Sequence, residues 1–425
     1  MRKLIVSFFL LAAAISCREP LFDPMPRWMH ERGNYAREGR QEAAAPGGSA
    51  YGEDGLAQRL PDEYLTAFHF PEGIPWRDSV TTGAELVLYK NGEELLRLPV
   101  KGMPEPDRHR VVDGELWTDD SQDGRMVVSC NGREHFSYSG EELYRGFLVL
   151  DGKVHTLGQR PGKEGFSYRI EGEEVFSSSL GAIVGDPASP DWPGGAFSTD
   201  SVQVFYAYAL PVRRARDLDW EYHVMQGAVP LQTIKAGEVD KLYDIRVFQG
   251  EVYRCERPGA SAGSLRVMRG DVAETLGVFN GEEPHACKLV PFNKRLIVKG
   301  YSTLDGLHPY KYWYRESFHN LYADSGIRPP LELYRDKEGT VVAVFLDHAD
   351  EQLLAAITWD KQPLELPHGR FRMLSSRCGV FRDGRFSAAL TDADGSLHRV
   401  LHATRDSVWV DSYSFNGYFT SISMH

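Results

Sequence analysis

Cysteine is scarce in this chain. Five residues in 425 carry a thiol and no two form a CxxC pair, which leaves no paired-cysteine metal or redox motif. Long runs rich in Ala, Leu, Glu and Lys are absent, so helical bundles and helical solenoids are excluded. No apolar run reaches the roughly 18 residues of a membrane span. Basic charge is in deficit, with 48 Lys and Arg against 60 Asp and Glu and a net charge of −12. Such a chain repels phosphate backbones, and no basic patch with interleaved aromatics appears, so a nucleic-acid partner is not expected. There is no HExxH, no P-loop and no dinucleotide fingerprint, hence no cofactor to expect. What is abundant is glycine (41) and aromatic residues (12%). That composition fits an all-β protein with many strands and many turns.

The first segment, MRKLIVSFFLLAAAISC, pairs a basic start (Arg2, Lys3) with an apolar stretch ending in small residues before Cys17. This is the pattern of a secretory signal. Residues 18–60 mix charges of both signs with Gly, Ala and Pro and show no period of 2 or 3.6. Such composition cannot bury enough apolar surface to offset chain entropy, so a flexible tether is expected. The division is therefore a signal over 1–16, a tether over 17–60 and a single folded domain over 61–425.

Within that domain the same turn recurs. LYKNGEELLRL, VSCNGREHFSY and YRIEGEEVFSS place Gly92, Gly132 and Gly172 at intervals of 40 and 40. Further turns fall at Gly227, Gly270, Glu316, Lys361 and Asp406, at intervals of 55, 43, 46, 45 and 45. Asn-Gly between alternating segments is a strong hairpin signal, because both central residues need φ > 0. A second series lies between members of the first, at Gly114, Gly152, Gly250, Gly339 and Gly384. Each unit is thus strand, turn, strand, loop, strand, turn, strand. Four antiparallel strands per unit of about 45 residues is the blade of a β-propeller. EYLTAFHF near the start and GYFTSISM at the end are left over, and pairing them closes the ring. The count is eight blades; seven is the alternative, because the 55-residue interval and the weak turn at Glu316 permit a different count.

AISC resembles a bacterial lipobox, with Ala14 where Leu is usual, which makes Cys17 the lipidated first residue of the mature chain. Together with the tether, YLTAFHFPEGIPWRDS and the YKNGEEL hairpins, it resembles the exported β-propeller lipoproteins of Bacteroidetes. The resemblance implies an outer-membrane anchor and the propeller fold, and no catalytic residue. REPLFD is not a clean match to an acidic surface-export signal, so the periplasmic and surface faces both stand open.

Candidate site residues are few. The Pro/Gly/Asp-rich insertion over 185–201 offers Asp186, Asp191 and Trp192 as a binding surface, with Trp76 in IPWRDS as a second exposed ring. In HPYKYWYRES the rings alternate, and Trp313 is expected in the core. DDSQDG puts Asp119, Ser121 and Asp123 at the first, third and fifth positions of a calcium loop. Cys130 replaces the twelfth-position Glu, so a plain turn is the expected reading, as it is for DADGS at 392–396. DHADE offers Asp347 and His348 on one solvated turn, a weak metal site. GASAG matches a nucleophile elbow around Ser261 in letters only, because it lies between two strands and not between strand and helix. Cys130, Cys255, Cys287 and Cys378 are compatible with two disulfides or with buried thiols.

The expected function is a lipid-anchored envelope protein that presents a propeller to a protein or glycan partner. The alternative is an enzyme on extracellular glycan or peptide, with carboxylates at the channel of the ring.

Overall fold

The structure is a computed structural model. It describes residues 61–73, 83–101, 104–122, 124–139, 142–160, 165–179, 181–184, 198–199, 203–214, 217–235, 237–248, 250–258, 264–278, 286–292, 295–301, 310–314, 317–319, 330–335, 341–346, 353–360, 362–392 and 395–425. Among these there is no α-helix, only two short 3-10 turns, Pro106–Arg108 and Ser376–Cys378. The strands form eight antiparallel sheets, each a path of four strands, and two of them carry one extra short strand. The chain is a β-propeller.

Four strands meet in the first sheet, in the order Glu93–Pro99, Glu85–Lys90, Glu63–His69 and Gly417–Met424. The first and last strands of the fold therefore pair directly, with Leu65 opposite Ile422 and Phe68 opposite Tyr418. Asp62 and His425 exchange backbone hydrogen bonds at the end of this ladder, at 2.9 and 3.1 Å. Thr66 Oγ1 sits 2.7 Å from Thr420 Oγ1 and 2.6 Å from Ser421 Oγ, so the buried hydroxyls satisfy one another.

The repeated hairpins explain the periodicity. Asn91, Asn131 and Glu171 have φ of 50°, 48° and 53°, and the glycines after them have φ of 86°, 78° and 81°. Two positive φ values in succession make the type I′ turn, whose twist matches the flanking strands. Each first residue also braces the next strand inward. Asn91 donates its N–H to Glu63 O and accepts the Glu63 N–H on Oδ1, both at 2.8 Å. Asn131 does the same with Leu116, at 2.8 and 2.9 Å. Glu171 N–H donates to Val154 O at 2.9 Å while Glu171 Oε1 accepts the Val154 N–H at 2.5 Å. At Gly227 and Gly270 only the glycine has positive φ, the pattern of a II′ turn, and the N–H still reaches Val204 O and Val252 O at 2.9 Å.

Burial does not alternate along the inner strands as period 2 suggests. Glu63–His69 and Arg385–Asp392 are buried almost throughout, whereas Glu93–Pro99 and Val408–Ser414 are mostly exposed. The physical reason is that each inner strand is covered on both faces by neighbouring sheets, while the outer strand of a sheet meets solvent. Apolar layers fill the gaps. Tyr64, Phe68, Leu86, Leu88 and Leu116 pack between the first two sheets, and Phe166, Tyr168, Tyr206 and Tyr208 between the third and fourth. Of the two states left open for the cysteines, Cys130, Cys255 and Cys378 take the free-thiol one. Cys287 lies in the strand Ala286–Phe292, with its side chain outside the described residues.

Candidate functional site

A cavity of about 280 Å³ lies between the first and second sheets. Phe68 and Leu86 of the first sheet form one wall, and Thr118, Asp120, Val127 and Ser129 of the second form the other. Val100, Lys101, Glu105 and Arg108 also line it. Pro106 opens the 3-10 turn that carries Arg108, and Arg108 Nε donates to Glu105 Oε2 at 2.6 Å. Arg377, from the 3-10 turn of the eighth sheet, donates to His109 O at 2.6 Å and also to Pro106 O. A guanidinium more than 260 residues away thus fixes the edge of the cavity.

Asp119 is unusual on the other face of the same strand, which it shares with Val128, Met126 and Tyr138 and which packs on Phe147 and Val149 of the third sheet. The two-residue loop at 123–124 pairs Gln122 with Arg125, which sets Asp119 opposite Val128, with its side chain fully buried. Oδ2 accepts a hydrogen bond from the Tyr138 hydroxyl at 3.2 Å, and Oδ1 has no hydrogen-bond partner. Burial pushes the carboxyl up to about 7, against the pull of Arg108 and the Tyr138 hydrogen bond. His109, which lines the cavity, is driven down to about 3, by burial and then by Arg377 and Arg110, so its ring is neutral. His109 Nε2 lies 2.7 Å from Thr420 Oγ1.

The turn expected in DDSQDG falls at Gly124, with φ of 76°, between the strands Glu115–Gln122 and Arg125–Cys130. Asp119 and Ser121 belong to the first of these strands and not to a calcium loop. Asp123 lies outside the described residues. DADGS is a turn as expected: Asp392 Oδ1 accepts the Ser396 N–H at 3.0 Å. No cluster of three or more His, Cys, Asp or Glu suited to a metal occurs among the described residues. Cys17, Trp76, Asp186, Asp191, Trp192, Ser261, Asp347 and His348 all lie outside the described residues. Tyr310–Tyr314 is a strand in which Trp313 pairs with Val298 and Phe318.

A second constellation has no signature in the sequence. Ser387 Oγ lies 2.8 Å from His402 Nδ1, and His402 Nε2 lies 3.1 Å from Asp411 Oδ2. The order matches a nucleophilic triad, but the chemistry does not. Ser387 is fully buried, and its hydroxyl proton goes to Glu63 Oε2 at 2.9 Å, so His402 cannot take it as a base must. Arg385 Nη2 donates to the same Glu63 oxygen at 2.7 Å. The group joins the eighth sheet to the first and is structural. Glu142 is held in the same way in the third sheet, by Ser167 Oγ at 2.6 Å and by both Arg169 terminal nitrogens at 2.6 and 3.0 Å.

No known family profile and no curated protein matches the chain. Solved structures similar to it share its fold at low identity. The β-propeller domain of the trilobed protease from Pyrococcus furiosus aligns at 10% identity over 67% of this chain and 86% of its own, with a TM-score of 0.41. A eukaryotic initiation factor aligns at 9% identity over 85% and 98%, with a TM-score of 0.46. The dihydro-heme d1 dehydrogenase NirN aligns at 12% identity over 85% and 75%, with a TM-score of 0.47. These likenesses concern fold alone, since propellers host unrelated functions.

Proposed function

We propose that the protein is a lipid-anchored binding propeller of the cell envelope. Acylated Cys17 holds it on the outer membrane, residues 18–60 form the tether, and eight blades closed by the terminal strands form the body. Its partner, a protein or a glycan, engages the cleft between the first two blades. The observation that carries this reading is the cleft itself: a cavity of about 280 Å³ between the first two sheets, where apolar Phe68, Leu86 and Val127 stand beside Asp120, Glu134 and Arg108. A largely apolar hollow with a few convergent polar groups is the ordinary form of a ligand site. The alternative is an enzyme on extracellular glycan or peptide, whose acid and base would be carboxyl groups of the same cleft, Glu105, Asp120 or Glu134.

The test has two parts. Cys17→Ser is expected to move the protein from the membrane to the soluble fraction; retention on the membrane would refute the anchor. The full chain in detergent is then melted against glycan and peptide panels. A ligand at 100 times its Kd adds about 2.7 kcal/mol, which reads as a clear shift. A shift with one class supports the binding reading, turnover of that ligand selects the enzyme, and a flat panel on folded protein removes the cleft from consideration.

A further inference from the structure

We propose that the cleft between the first two blades takes a single sugar ring, held by the hydroxyls of Thr118 and Ser129 and the carboxylate of Glu134. This rests on the reading of that cleft as a binding site and names the chemistry it selects. Strand register sets the three groups in a row. Thr118 is the Cα partner of Ser129, and Ser129 is the Cα partner of Glu134, so the row crosses three adjacent strands of the second sheet. A bulge after Val128 turns Glu134 to the side of Ser129, whereas Phe136 stays with Val128 on the face toward the third sheet. All three residues of the row line the cavity. Ser129 is only 7% exposed, yet neither its hydroxyl nor that of Thr118 has a hydrogen-bond partner among the described residues. A buried hydroxyl is ordinarily satisfied, and this one faces a cavity in which a ligand can answer it.

The class of ligand follows from the donors and acceptors on offer. Each hydroxyl has one donor and two acceptor sites, and the carboxylates of Glu134 and Asp120 only accept. The cations of the lining are engaged. Lys101 Nζ donates to Gln122 Oε1 at 2.7 Å, and Arg108 Nε to Glu105 Oε2 at 2.6 Å. The ligand must therefore bring several donors, and the carboxylates repel an anion. Glu134 is exposed, so water already answers its charge and no cation is demanded.

Spacing separates a sugar from a peptide. Neighbouring strands lie about 4.8 Å apart, which sets the spacing of the row. An extended peptide turns its N–H groups to one side only every second residue, roughly 7 Å apart. A sugar ring sets its hydroxyls closely around one compact body, and each of them both donates and accepts. The opposite wall, from Phe68, Leu86 and Leu98 of the first sheet, receives the C–H face of the ring. A hollow of about 280 Å³ lies at the small end of ligand sites and admits one ring, not a length of chain.

The experiment is ligand-observed NMR on the full-length protein in detergent, read as dissociation constants. The probes are glucose, galactose, mannose and N-acetylglucosamine, each with its methyl glycoside. The controls are 2-methoxytetrahydropyran, a sugar-like ring without hydroxyls, and N-acetyl-leucinamide for a peptide. Expected is at least one sugar bound at least tenfold tighter than the bare ring. Ser129→Ala and Thr118→Val should each weaken that sugar about fivefold, the worth of one uncharged hydrogen bond, and Glu134→Gln about tenfold. A reducing sugar tighter than its methyl glycoside makes a free monosaccharide the source; the reverse order makes it a glycan unit. Equal affinity for the sugars and the bare ring in the unmodified protein overturns the inference, and this comparison needs no variant to fold. Sugar binding unchanged in all three variants also overturns it, because the sugar then sits elsewhere. If the peptide control alone binds, the cleft reading survives and the sugar inference falls. If no probe binds, the sugar inference falls and the wider melt panel decides the cleft.

Discussion

Two buried carboxyl groups sit at seams between sheets, Glu63 between the first and the eighth and Asp119 between the second and the third. Glu63 is met by Arg385 at 2.7 Å and Ser387 at 2.9 Å. Asp119 has one long hydrogen bond, from Tyr138, and an Oδ1 without a hydrogen-bond partner. Both sit where a sheet packs on its neighbour, and both are nearly inaccessible to solvent. The difference lies in whether the opposing sheet supplies a partner. A satisfied network locks a seam; a half-satisfied carboxyl keeps the full desolvation penalty.

The contrast is most easily broken at Glu63. Glu63→Gln keeps the shape and removes the charge that answers Arg385, which is 11% exposed. Leaving a buried cation unpaired is expected to cost about 3–5 kcal/mol, read as a fall in the denaturation midpoint. A cost under about 1 kcal/mol would mean that the two seams do not differ as described.

Asp119 carries the next effect, of opposite sense. Its pKa is raised from 3.8 to about 7 on folding. Between those values the unfolded chain gives up the proton while the folded chain keeps it, so the unfolded state binds fewer protons and stability falls as pH rises. The stabilising share is fully present below 3.8 and is lost by pH 7, a drop of roughly 4 kcal/mol. Asp119→Asn should flatten that slope in urea titrations across pH 4 to 8. An unchanged slope would show that the carboxyl is satisfied after all.

A smaller effect separates packing at the seam from turn strain. Gly132 and Gly250 have φ of +78° and +76°, so alanine is strained equally at both. A Cβ at Gly132 would lie 2.5 Å from Leu98 Cδ2 of the first sheet, whereas at Gly250 nothing lies within 4 Å. Gly250→Ala is expected to cost about 1 kcal/mol and Gly132→Ala about 1 kcal/mol more. The smallest effect is at Asn131. Asn131→Asp keeps the acceptor for the Leu116 N–H and should stay within about 0.5 kcal/mol, while Asn131→Ala loses about 1 kcal/mol and leaves the pH slope unchanged.

The fold was largely legible. NG at 91–92 and 131–132 and EG at 171–172 mark turns because two successive positive φ values admit few residues, and that demand is local. The turn in DDSQDG was legible in the same way, and Gly124 has φ of 76°. Counting outward from that two-residue loop pairs Gln122 with Arg125 and Asp119 with Val128, which removes Asp119 from any calcium loop. The burial of the inner strands on both faces was not legible, because it depends on the neighbouring sheets and not on the strand. Nor was the Glu63 network, since its members lie 322 and 324 residues away.

Sequence alone determined where the described hairpins turn, how many strands each unit holds, and that the first and last strands are left to pair; the turns expected at Glu316, Gly339 and Lys361 lie outside the described residues. These follow from backbone preferences that act over four or five residues. Only the tertiary structure decided which buried carboxyl is answered and which is not. Glu63 meets its partners because the eighth sheet folds against the first, and Asp119 Oδ1 lacks one because the third sheet sets apolar Phe147 and Val149 against the face that it shares with Val128. Desolvation and hydrogen-bond satisfaction belong to the assembled layers, so no reading of either strand by itself could assign them.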